Sequence, residues 1–169
     1  MQTSQGYSVF LVDDDRAFLH SLEHFLQQKL KQNVHISSFA SGEECLKHLD
    51  EKPDIVVLDY SLNGDPYVLN GMEVMQRIRK AGSQARVIML SAQDKMDLAV
   101  NMVRNGAYDY VVKNEYTFLK IHHVLRNAIS SIQLARRLRI HRALTRAALS
   151  IALLLIAAVI IRHLFLNSP

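Results

Sequence analysis

Apolar residues along this chain fall into short unbroken runs, separated by longer stretches in which they recur every three or four positions. The runs at 9–12, 55–58 and 87–90 are rich in Val, Ile and Leu, as expected for strands covered on both faces. Residues 33–39 alternate apolar and polar positions, and 108–112 form a fifth β-rich run. Helical spacing fills the gaps. Phe18, Leu22, Phe25, Leu26 and Leu30 mark a helix over 17–30, and Ser41-Gly42-Glu43-Glu44 has the form of a capping box opening another through Leu49. Asn70-Gly71-Met72-Glu73 caps a third that carries Val74, Met75 and Ile78. Residues 98–103 continue a fourth, which Gly106 ends. Strand and helix alternate regularly, which predicts an α/β fold: a doubly wound, five-stranded parallel sheet with right-handed crossovers. From Phe118 the positions Phe118, Ile121, Leu125, Ala128, Ile132 and Ala135 form a heptad-like seam on one long helix.

With 169 residues, 49% of them hydrophobic, the chain has ample apolar surface for one domain with an appendage. The single Cys45 excludes an internal disulfide and agrees with a reducing compartment. Charge divides the chain sharply. Residues 1–117 carry twelve Lys or Arg against sixteen Asp or Glu, a net of −4, while 118–169 carry eight basic residues and no acid, a net of +8. An acidic module therefore precedes a basic, apolar tail. The N-terminus lacks a basic stretch followed by an apolar core, so no secretory signal is expected and the first module is expected in the cytoplasm.

The tail is apolar on every face from 147 to 161 apart from Ser150, and Leu164–Leu166 extend it past Arg162 and His163. A helix apolar all round calls for lipid or a large core. Arg136, Arg137, Arg139, Arg142 and Arg146 precede it, as the positive-inside rule requires of a cytoplasmic N-terminal module. The expected organisation is a domain over 1–130, a basic helical extension over 131–146 and a single transmembrane helix over 147–166, anchored in the bacterial inner membrane. A buried oligomerisation helix and a helix lying in the interface are the alternatives. Ala148 and Ser150–Ala152 offer small-residue packing for a homodimer in lipid. The arginines abut the apolar run and leave no room for a DNA-reading module, so no nucleic-acid partner is expected.

Chemistry is concentrated where the predicted strands stop: Asp13 and Asp14, Asp59, Ser91 and Lys113. In an open parallel sheet these ends line one edge, where ligands bind. Three crowded carboxylates without His or Cys favour a hard divalent cation, Mg²⁺ rather than zinc. With such a cation Asp59 becomes an oxygen nucleophile towards phosphorus, and Lys113 and Ser91 become phosphoryl ligands. Taken singly, each residue has a plainer use. An acid run caps helices, a lysine is solvated, a Ser at a strand end caps the next helix, and Tyr110 is core.

Val12-Asp13-Asp14-Asp15, Asp54-Ile55-Val56-Val57-Leu58-Asp59, Val87-Ile88-Met89-Leu90-Ser91-Ala92 and Gly106-Ala107-Tyr108-Asp109-Tyr110-Val111-Val112-Lys113 together resemble a response-regulator receiver domain of two-component signalling, over residues 7 to 130. The resemblance implies a flavodoxin-like receiver fold that is a phosphoacceptor rather than an enzyme. It makes Asp59 the phosphoacceptor, Asp13, Asp14, Asp59 and the Ser61 backbone carbonyl the Mg²⁺ ligands, and Ser91, Lys113 and Tyr110 the phosphate-binding and switch residues. Ser61 and Gln93 occupy positions that tune dephosphorylation. Implied partners are a sensor histidine kinase or phosphotransfer protein and a downstream protein. The alternative is a receiver-like, membrane-tethered adaptor that takes no phosphate. Two departures bear on it: Asn114 follows Lys113 where the family usually has Pro, and the connection from Asp59 to Gly71 is longer and lacks the usual Met-Pro.

Overall fold

The computed structural model describes the backbone of residues 6–30, 33–62 and 69–166, and their side chains apart from 139–144, 147, 152 and 154–166. The expected alternation is present: β1 (Tyr7–Val12), α1 (Arg16–Lys29), β2 (Val34–Phe39), α2 (Gly42–Lys47), β3 (Ile55–Asp59), α3 (Gly71–Lys80), β4 (Arg86–Ser91), α4 (Met96–Arg104), β5 (Asp109–Val112) and α5 (Thr117–Leu166). The strands form one parallel sheet in the order β2-β1-β3-β4-β5. The order reverses direction at β1, and the crevice beside β1 and β3 is where a doubly wound sheet binds its ligand.

Every residue of β3 is buried, as its unbroken apolar run predicted. Strand alternation then assigns two faces. Phe10, Val12, Val56, Leu58, Val87 and Met89 pack with Cys45, Val74, Met75, Ile78 and Met102 of α2, α3 and α4. The intervening positions Val9, Leu11, Ile55, Val57, Ile88 and Leu90 are equally buried, as are Leu19, Leu22 and Leu26 of α1 and Ile121, Leu125 and Ala128 of α5. At roughly 1.5–3 kcal/mol for each large aliphatic side chain removed from water, these two layers dominate the stability.

Helix starts follow local chemistry with one difference. Asn70 and Glu73 form the complete reciprocal capping box expected for α3. At α2 only half of it forms: Ser41 Oγ accepts from the Glu44 N–H, but the Glu44 carboxylate reaches one residue further back, to the Ala40 N–H. The helix also stops at Lys47, and Leu49–Glu51 is a separate 3₁₀ turn, ended by Lys52 with φ at 53°.

The chain divides into two units, Met1–Ile129 and Ser130–Pro169. In the second, Ile132 is buried but Ala135 is exposed, so the expected apolar seam stops short of it. The helical backbone runs unbroken through the apolar tail to Leu166. Among the described residues no helix is long and apolar enough to cross a membrane. Most side chains of the span expected over 147–166 lie outside the described residues, as do 63–68 in the lengthened connection after Asp59.

Candidate functional site

Register brings the expected residues to one edge. Val12 pairs with Leu58, so Asp13 and Asp59 leave adjacent strands side by side. Ser91 pairs with Val112, and the Lys113 N–H donates to the Ser91 carbonyl at 2.8 Å, which extends the ladder by one residue and aims the lysine at that edge. Lys113 Nζ lies 2.6 Å from Asp13 Oδ2 and 3.1 Å from Asp59 Oδ1. Asp13 and Asp59 are buried, Asp14 is exposed, and carboxylate oxygens of all three lie within 4.8 Å of one another. Asp15 takes the plainer role: it caps α1, its Oδ1 accepting from the Ala17 and Phe18 N–H groups. The Asp15 N–H in turn donates to Asp13 Oδ1 at 3.0 Å.

Electrostatics follow from burial. Desolvation pushes the carboxyl groups of Asp13 and Asp59 above the ordinary aspartate value. Lys113 opposes this, and the neighbouring carboxylate adds to it: Asp59 for Asp13, and Asp14 for Asp59. Burial alone would lower the Lys113 ammonium, but hydrogen bonds and charge from Asp13 and Asp59 outweigh it and hold it above its ordinary value. Three carboxylates against one ammonium leave a formal charge of −2 when all are ionised. That deficit, carried by hard oxygens alone, fits a dication such as Mg²⁺. The residues that would hold it are Asp13, Asp14 and Asp59.

The remaining expected residues surround this group. Ser61 is exposed, and its backbone N–H donates to the Asp59 carboxylate. The buried Ser91 hydroxyl accepts from the Gln93 N–H at 3.0 Å, closing a turn rather than capping α4, which starts at Met96. Tyr110 is half-buried against the core, and its hydroxyl donates to the Gln93 carbonyl, tying β5 to the β4–α4 loop.

Two backbone devices were hidden in the sequence. Gly71 reads there only as part of a cap, yet its N–H donates to the Tyr60 carbonyl, and a Cβ on it would lie 2.2 Å from the Asp59 carbonyl oxygen. A glycine is required where α3 meets the end of β3. The second is Asn114. The Lys113–Asn114 peptide is trans. The Asn114 N–H donates to Thr117 Oγ1 at 2.6 Å, and its Oδ1 accepts from the Tyr116 N–H at 2.9 Å. This closed turn opens α5 in place of the family's proline, and Lys113 still reaches both carboxylates.

Comparison with known proteins agrees with this geometry. The response regulator receiver domain model matches residues 9–126. The transcriptional regulatory protein AfsQ1 of Streptomyces coelicolor is 36% identical over 107 residues, which cover 63% of this chain and 44% of that protein. The chemotaxis protein CheY of Listeria monocytogenes is 31% identical over 104 residues, 61% of this chain and 83% of CheY. Thus the chain spans less than half of AfsQ1 but most of CheY. Among solved structures, the Francisella response regulator 1452 receiver domain superposes with a TM-score of 0.63 at 21% identity, covering 74% of this chain and 98% of that one. A chain of the CheX-CheY-BeF3-Mg²⁺ complex from Borrelia burgdorferi gives 0.61 at 26% identity, covering 73% and 89%. With this sheet order, this carboxylate and lysine edge and a family match over most of its length, the chain belongs to the response regulator receiver domains of two-component signalling.

Proposed function

We propose that Asp59 accepts a phosphoryl group in a Mg²⁺-dependent reaction and that the phosphorylated domain presents an altered protein-binding surface at a membrane. The observation that carries this reading is the placement of Lys113 Nζ against both Asp13 and Asp59, with Asp14 beside them. In the transfer an Asp59 carboxylate oxygen attacks phosphorus, the bond to the donor's leaving group breaks, and Asp59 becomes an acyl phosphate. A bound divalent cation supplies charge neutralisation for the crowded oxygens. Lys113 and the Ser91 hydroxyl, once it exchanges its Gln93 N–H partner, bind the arriving phosphoryl oxygens. The Borrelia complex contains BeF3 and Mg²⁺, the chemistry assigned here to Asp59. The donor in this reading is a histidine kinase or phosphotransfer protein.

The membrane part of the proposal rests on sequence: an apolar run over 147–161 directly preceded by five arginines. Receiver on the cytoplasmic side and tail in the bacterial inner membrane satisfy both features, and carbonate-washed membranes should retain the protein. Its appearance in the wash would remove the tether.

The phospho-switch is tested on the full-length chain in detergent by intact mass after incubation with Mg²⁺ and phosphoramidate. A single phosphate adduct on the parent and none on Asp59→Asn is the expected result. No adduct on either, with small donors or candidate kinases, would favour the adaptor. The closed turn at Asn114 weighs against the adaptor, because Lys113 keeps its place without the proline.

A further inference from the structure

The Lys113 ammonium has a third neighbour: its Nζ sits over the ring of Phe18, 4.8 Å from the centroid. Phe18 belongs to the first turn of α1, directly after the loop bearing Asp13 and Asp14, and its N–H is fixed by the Asp15 cap. The ring is held from the side as well. It meets Phe118 edge-on at 5.4 Å and 71°, and Phe118 meets Phe25 at 5.6 Å. Phe118 is the second residue of α5, whose start is set by the Asn114–Thr117 turn after Lys113. Phe18 is therefore braced by two helices, one leaving the acidic loop and one leaving the lysine.

A cation over an aromatic face is attracted by the ring quadrupole, more strongly as water is excluded, and the Lys113 side chain is only 22% exposed. A lysine also needs such help, since its flexible four-carbon stem presents a point charge with no planar fork to orient it. The carboxylates alone serve poorly, because Asp59 changes charge and shape when it accepts a phosphoryl group. The uncharged ring takes no part in that change, so its attraction for the ammonium does not depend on the charge of Asp59. We infer that Phe18 is a positioning residue for Lys113, holding the ammonium where phosphoryl oxygens arrive at Asp59. This inference rests on the reading of Asp59 as phosphoacceptor.

The test uses full-length parent, Phe18→Leu and Phe18→Tyr proteins in detergent, alone and combined with Lys113→Ala. The first readout needs neither metal nor phosphate: the Lys113 Hε resonance in protein carrying ¹³C-lysine. A ring-current upfield shift is expected in the parent and in Phe18→Tyr and should vanish in Phe18→Leu. The second is the rate of phosphoryl uptake from phosphoramidate. Phe18→Leu should be about three- to tenfold slower and Phe18→Tyr within about twofold of the parent, as the strength of cation–π contacts implies. In the Lys113→Ala background Phe18→Leu should add nothing. An unshifted Lys113 resonance in the folded parent overturns the inference even if Phe18→Leu fails to fold. So does equal slowing with and without Lys113, which would mean a packing effect. A parent that takes up no phosphate overturns the reading of Asp59, and the ring-current measurement then decides the place of Phe18 by itself.

Discussion

Two half-buried cations sit at opposite edges of the same sheet, and they are held in opposite ways. Arg79 reaches the ends where strands begin: its guanidinium donates to the carbonyls of Ser83, Ala85 and Gly106 at 3.3, 2.7 and 2.8 Å. Desolvation lowers its pKa and no carboxylate is among the causes. Lys113 sits where strands end, between Asp13 and Asp59, and its pKa is raised. Arg79 is bound by fixed neutral dipoles and staples three chain segments whatever the solution contains. Lys113 is bound by groups that change charge with pH, metal and phosphorylation. One edge is built for constancy and the other for response.

Removing each cation should break this comparison most visibly. Lys113→Met leaves two buried carboxylates without their counter-charge and should cost about 3–5 kcal/mol in metal-free buffer at neutral pH, as for other broken buried pairs. Mg²⁺ should restore part of that loss by binding the folded form. Arg79→Met strands three carbonyls and should cost about 2–3 kcal/mol, unchanged by Mg²⁺. Urea unfolding with and without Mg²⁺ separates the two, and equal Mg²⁺ responses would refute the distinction.

Glycines sharpen it next. Gly71→Ala drives a Cβ towards the Asp59 carbonyl, so overpacking of about 1–3 kcal/mol is expected together with slower phosphoryl uptake. Gly82, near the constant edge, has φ at 76° and open space around its missing Cβ. Gly82→Ala should cost about 1 kcal/mol through backbone strain alone and leave uptake unchanged.

Acidity separates the perturbed carboxylates by sign. Asp13 and Asp59 have raised pKa values, so between those values and the ordinary 3.8 the folded protein holds protons that the unfolded chain has released. Without metal, stability at this edge should therefore rise as pH falls from neutral through the raised values. Lys113, raised above 10.5, contributes fully below that pH and loses its contribution as pH climbs through the folded value. Glu43 runs the other way. Its carboxylate accepts the Leu69 N–H at 3.0 Å, its pKa is lowered, and its contribution is present above 4.5 and lost as pH falls through its folded value. In EDTA the urea midpoint of the parent should rise relative to that of Asp59→Asn as pH falls from neutral towards 3.8, because only the parent takes up the extra proton at Asp59. A parent midpoint that falls relative to that of Asp59→Asn over this range would contradict the assignment.

The strand-end edge was legible because each of its residues terminates an apolar run, and a parallel sheet converts such ends into neighbours. The order Asp13, Asp59, Ser91, Lys113 needs no tertiary knowledge beyond that rule. Side-chain partners were less legible. Phe18 reads like any apolar helix position, since nothing local shows that Lys113, far along the chain, lies over its ring. Gly71 reads as a cap because its close approach to Asp59 exists only once α3 docks on β3. The half-formed box at Ser41 shows that even a strong local motif yields when a neighbouring N–H, that of Ala40, is better placed.

Asn114 should give the smallest effect and the finest discrimination. The family's proline has no N–H, whereas this turn uses the Asn114 N–H, so Asn114→Pro should destabilise by about 0.5–1.5 kcal/mol rather than improve the site. Asn114→Ala keeps that N–H but loses the Oδ1 acceptor for Tyr116, a cap worth about 1 kcal/mol. Thr117 is only 3% exposed, and the turn supplies the short contacts of its hydroxyl: it accepts from the Asn114 N–H and donates to the Asn114 carbonyl at 2.6 Å, with the Val112 carbonyl further off at 3.5 Å. Asn114→Pro and Thr117→Val remove the two ends of one hydrogen bond and should therefore combine to less than their sum, measured by urea unfolding. A more stable Asn114→Pro protein would mean that the proline geometry is accessible here and that the Asn114–Thr117 pair is incidental to the placement of Lys113.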